Sequence, residues 1–118
     1  MNATIAFLSD CFAARWDDGR IAFVPWREIR QIDAYKIDLW AVDEVCLGFR
    51  FGADDSWIEV SESDGGWRPL LESIRRRFPT IPAGWEYDVL FPPFAANERT
   101  LYRADAAAPK PSGESPAT

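Results

Sequence analysis

The sequence predicts an α+β domain: a strongly bent antiparallel sheet or partly open barrel of about six to seven short strands, with one amphipathic helix against it. Three features point there. Val45, Leu47, Phe49 and Phe51 alternate with Cys46, Gly48 and Arg50, the period of a strand with one buried face. Trp67, Leu70, Leu71, Ile74 and Phe78 fall at i, i+3, i+4, i+7 and i+11, one stripe of a helix. Turn residues punctuate the first half at Ser9-Asp10, Asp17-Asp18-Gly19 and Gly52-Ala53-Asp54-Asp55.

The elements follow in order. Ile5 to Leu8 is a short apolar run and the first predicted strand. Phe12 to Trp16 is the second, closed by hairpin chemistry at Asp17-Asp18-Gly19. In the third, Ile21, Phe23 and Pro25 alternate with Ala22 and Val24. A turn at Trp26 to Glu28 leads to a strand from Ile29 to about Ile37. Period two puts Ile32, Ala34 and Lys36 on one side of it, and Asp33, Tyr35 and Ile37 on the other. Asp38 to Asp43 reads as a turn. The strand through Phe51 and a strand from Trp57 to Val60 complete this half.

Asp64-Gly65-Gly66 supplies the turn into the helix, with a carboxylate favoured near its N-terminus. Pro69 is tolerated only in a first turn, which places the start near Gly66. Arg75-Arg76-Arg77 suits the negative C-terminal end, and Pro79 stops the helix. Arg68, Glu72 and Ser73 join the arginines on the remaining, polar side.

After Pro79 the chain stays apolar. Trp85, Tyr87, Val89 and Phe91 alternate, which predicts an extended cover segment along a sheet edge, ending at Pro92-Pro93. Asn97 to Tyr102 reads as a short turn or helix. Residues 1–103 thus form one domain with its cover segment. Residues 104–118, rich in Ala, Pro, Ser and Gly, cannot bury a core and read as a disordered tail.

The 118 residues suffice for one core, and 47% of them are apolar. Net charge is −6, which disfavours non-specific binding to nucleic acid or to an anionic membrane. No run approaches the ~20 apolar residues of a membrane span, and no basic signal region opens the chain, so a cytoplasmic protein is expected. Histidine is absent, which removes the commonest general base and metal ligand. Cys11 and Cys46 lack redox-pair spacing and read as reduced, buried small hydrophobes. Carboxylates gather at Asp38, Asp43 and Glu44, at Asp54 and Asp55, and at Glu59, Glu62 and Asp64. Solvated turns and strand faces explain them better than acid/base work or cation binding. No catalytic residue, metal or cofactor is expected.

Short antiparallel strands before one amphipathic helix resemble the pleckstrin-homology-like superfold. Val24-Pro25-Trp26-Arg27-Glu28-Ile29-Arg30-Gln31-Ile32 is similar to a stretch common in small bacterial PH-like and GRAM-like domains, where it ends one strand and begins the next. The resemblance spans about residues 4–78 and implies a fold rather than an activity. The basic loop that reads phosphoinositides in some members is replaced here by Ser9-Asp10 and Asp17-Asp18.

The most suggestive feature is the aromatic excess, with six Trp and eight Phe. Beyond core filling, Tyr35, Trp40, Trp85 and Tyr87 are the candidate binding residues, because Trp and Tyr concentrate at protein interfaces. The expected function is a non-catalytic binding or protein-interaction module, with a protein partner or a homodimer. A toxin-neutralising immunity protein is a more specific version. A small enzyme using acidic side chains is the rival reading.

Overall fold

The structure, a computed structural model, describes residues 2–39, 42–91 and 98–104. Over the described residues it is α+β, with two open antiparallel sheets and two α-helices. The smaller sheet is the meander β1 (Ala3–Phe7), β2 (Cys11–Trp16) and β3 (Ile21–Pro25). The larger is built from β4 (Ile29–Leu39), β5 (Val42–Phe51), β6 (Ser56–Ser61) and β7 (Arg99–Arg103), in the order β6-β5-β4-β7. The helices are α1 (Trp67–Arg77) and α2 (Trp85–Leu90).

The alternation of β5 sets the register of the larger sheet. Val45, Leu47, Phe49 and Phe51 are all buried, and Ile32 and Ala34 of β4 lie opposite Phe49 and Leu47. Lys36 takes the same inner side, as its spacing requires, and its charge is met there. Its Nζ lies 3.2 Å from Asp43 and donates to the Leu90 carbonyl at 2.8 Å, with the two side chains 3% and 8% exposed. The C-terminal carbonyls of a short helix are a natural seat for such a cation. From the smaller sheet Phe12 reaches Phe49 and Trp26, with ring centroids 5.1 and 5.0 Å away. Trp67, Leu70, Ile74 and Phe78 of the helix stripe close this core. Leu71, the fifth of the stripe, is half-buried, and Ser73, expected on the polar side, is buried.

The Asp64-Gly65-Gly66 turn ties the two sheets together. Gly65 bridges β1, accepting from the Ile5 N–H at 2.7 Å and donating to the Ala3 carbonyl at 3.1 Å. Gly66 caps α1 at φ +91°, and a Cβ there would stand 2.5 Å from the Ile5 carbonyl oxygen. Only glycine fits both demands. The Asp64 side chain does not cap the helix. One oxygen accepts from the Ala3 N–H and the other from the Ser61 N–H, both at 2.8 Å.

Several boundaries differ from expectation. β1 begins at Ala3, and Leu8 leaves it for the turn, its N–H donating to the Cys11 carbonyl at 2.9 Å. The predicted turn at Asp38 to Asp43 is mostly strand, since Leu39 already pairs with Val42. Residues 97–102 were expected to turn or coil into a helix, yet Arg99–Arg103 is a strand against β4. The cover segment is not extended: Trp85–Leu90 is helical, with its buried side chains in the core. The tail from 105 on lies outside the described residues.

Candidate functional site

Period two gives the smaller sheet a buried and an outward face. Ala3 and Ile5 of β1, Phe12 and Ala14 of β2, and Val24 of β3 point into the core. The outward row therefore holds Ala6, Ala13 and Phe23, which lie side by side in the register, with Cys11 opposite Pro25 and Arg15 opposite Ile21. The strand that bears the two largest apolar outward groups is β3. Ile21 is 54% and Phe23 59% exposed, while Val24 is fully buried. Phe12 explains this choice. It is the large inward residue of β2, and Val24 sits directly across from it, leaving no inner room for a phenylalanine at that site. Leu8, in the adjoining turn, is also exposed. An apolar patch of this kind is a signature of an interaction surface.

The edge of β3 is open as well. The Trp16 N–H donates to the Arg20 carbonyl, and the Trp26 N–H to the Asp10 carbonyl, which fixes the alternation of the β2–β3 ladder. By that alternation the peptide groups of Ile21 and Phe23 point away from β2. Among the described residues no strand pairs with β3 on that side. An open groove of about 790 Å³ runs there between the β2–β3 hairpin and β6, lined by Trp16, Ile21, Ala22, Trp57 and Glu59.

The other sheet edges are protected by the usual devices. Gly65 pairs with β1. Glu59 puts a charge in the middle of β6, and Asp64 ties off the Ser61 peptide group from both sides, through its carboxylate and its own N–H. Arg99 and Arg103 bracket β7. Ile21-Ala22-Phe23-Val24-Pro25 has no charge at all.

The aromatic residues singled out from sequence do not converge. Tyr35 lies on the outward face of the larger sheet, half-buried, and its hydroxyl donates to Glu59. Burial, and then that carboxylate, push its pKa well above the ordinary tyrosine value. Trp85 is buried in the core under α2. Tyr87 is 67% exposed and packs on Phe91, ring centroids 4.7 Å apart. Trp40 lies outside the described residues. Ile21 and Phe23 were missed as site residues, although an uncharged third strand was visible in the sequence.

The carboxylates serve structure. Asp33, on the outward face, accepts from Gln31 and from Thr100. Glu44 accepts from Ser61 and Ser63, which hold its pKa below the usual glutamate value. Glu62 accepts from the Val45 N–H. The Cys46 thiol is fully buried, and desolvation, then the nearby Glu59, push its pKa up to about 12. Cys11 is free and partly exposed. Among the described residues no group of Cys, Asp and Glu converges as a metal site, and no helix is long and apolar enough to cross a membrane.

Comparison of the chain with models of protein families, with curated proteins and with solved structures gives no match.

Proposed function

We propose that this chain is a non-catalytic protein-interaction module that binds through the outward face and open edge of the β1–β2–β3 sheet. The observation that carries this reading is the placement of Ile21 and Phe23. The two largest apolar groups of β3 stand in solvent beside Ala6 and Ala13, on a strand whose edge peptide groups have no strand partner among the described residues. Interface energy concentrates in such large apolar anchors. The carboxylates argue against an acid/base site, since Asp33, Glu44, Glu59, Glu62 and Asp64 each accept a hydrogen bond from a donor of the fold. PH-like architecture is part of the proposal. Two antiparallel meanders of three strands followed by an amphipathic helix support it, and β7, added beyond the helix, departs from that pattern.

Photo-cross-linking in cells tests the site. A benzophenone side chain at position 21 or 23 should give a discrete adduct, and the same group in place of Arg75, on the outside of α1, should give none. Equal yields at the two surfaces, or no adduct from β3, would refute the reading.

A further inference from the structure

We infer that the occupant of the β3 edge is a second copy of this chain, paired β3 to β3 about a twofold axis at Ala22. This rests on the interaction surface proposed above and names its partner. The edge is self-complementary in one register. With Ala22 facing Ala22 of the second copy, Ile21 of each chain lies opposite Phe23 of the other. These are the two residues whose peptide groups point outward, so each such pair exchanges both of its ladder hydrogen bonds. Shifting the axis to Phe23 would set Ile21 against Pro25, which has no N–H to give. Shifting it to Ile21 would set Phe23 against Gly19, already in the hairpin turn.

Side chains agree with that register. Ala22, the smallest residue of the strand, falls at the axis, where non-hydrogen-bonded neighbours stand closest. Phe23 packs beside Ile21 of the second copy, and the apolar outward row then runs on from Ala6 and Ala13 across the joint. No charge of β3 meets its twin, which matters in a chain of net charge −6. The Arg20–Asp18 ion pair in the adjoining turn stays within one chain. The groove along Ile21 and Ala22 leaves the inner side of the edge clear for an incoming strand. A five-residue edge with two anchors per copy buries an area at the low end for specific interfaces, below about 1,200 Å² in total, so the dimer is concentration-dependent.

The test uses the full chain. Its mass by sedimentation equilibrium should rise from that of one chain toward twice that value between about 1 µM and about 1 mM, as a small interface implies. Phe23→Lys should hold it at one chain mass with an unchanged melting temperature, since Phe23 is 59% exposed. In a Cys11→Ser background, Ala22→Cys should form a disulfide-linked dimer under mild oxidation, while Glu59→Cys should not. Cys46, buried, stays out of the exchange. A single chain mass throughout, with no link at position 22, would overturn the dimer. If cross-linking from position 23 then captured a different protein, the surface would stand and only its occupant would be wrong. A dimer indifferent to Phe23→Lys would overturn the β3 pairing, and only if position 23 also gave no cross-link would the surface fall with it.

Discussion

Asp64 shows how a residue type legible in sequence acquires a role that only the tertiary structure assigns. Its spacing to α1 suggested a favourable charge near the helix start. Instead its two oxygens hold backbone donors from β1 and β6, which are far apart in the chain. Asp64→Ala should cost about 2–5 kcal/mol, since it strands two backbone donors in a buried site. Asp64→Asn, which keeps one acceptor, should cost less. Urea melts of the three proteins check this, and equal losses for the two variants would refute the clamp. Cys46 gives a pH prediction. An unfolded thiol titrates near 8.5. In the fold, burial first and Glu59 second raise that value to about 12. A raised folded pKa adds stability that is complete below the unfolded value and is lost as pH rises through the folded one. Tyr35 shifts in the same direction. Stability should therefore decline from about pH 8.5 upward, and Cys46→Ala should flatten the first part of that decline. A pH-independent urea midpoint between pH 8 and 11 would contradict it.

The helices differ in how well their period could be read. The stripe of α1 is unambiguous, because Trp67, Leu70, Ile74 and Phe78 match only a helical repeat. Ile74→Ala should cost about 2–5 kcal/mol, as buried large-to-small changes do. Leu71→Ala should cost less, because Leu71 is half-buried, and Glu72→Ala should change little, because its ion pair with Arg75 is exposed. Equal effects of the three in urea melts would mean a different packing. In α2, Trp85, Tyr87, Val89 and Phe91 fit a strand period. The same four also form two pairs four residues apart. The fold uses the second pattern, with Trp85 and Val89 turned into the core and Tyr87 and Phe91 stacked outside. Glu86 and Asp88 stand in the first turn, and Lys36 takes the Leu90 carbonyl at the other end. The acidic start was visible in the sequence. The lysine that completes the helix comes from β4 and was not. β7 was missed for a related reason: a five-residue strand rich in arginine has little pattern of its own and is defined by pairing with β4.

Across the whole molecule, the segment after Pro82 completes the core. Trp85, Val89 and Leu101 are buried there, α2 rests on β4 and β5, and β7 covers the outer edge of β4. Truncation after Pro82 removes all three contributions. The truncated chain should lose its cooperative melt by circular dichroism or aggregate, whereas a sharp melt at the full-length temperature would show the segment to be dispensable. An extended Trp85–Phe91 segment could have covered a sheet edge or paired with a second copy. Trp85–Leu90 is helical, so it offers no strand for either, and the dimer proposed above uses the edge of β3.

Sequence by itself determined the α+β class, the strands through β6 to within a few residues, and α1 with its glycine start, because local periodicity and turn chemistry specify these without distant partners. It also determined that β3 carries no charge. Tertiary structure decided which face of β3 turns outward, because that depends on Phe12 across the ladder filling the space inside. It decided which sheet edges are closed, because Gly65, Asp64 and the β7 arginines reach them only through the fold. It also decided helix over strand at Trp85–Leu90, where two periods coexist in the sequence and the core, together with Lys36, selects one.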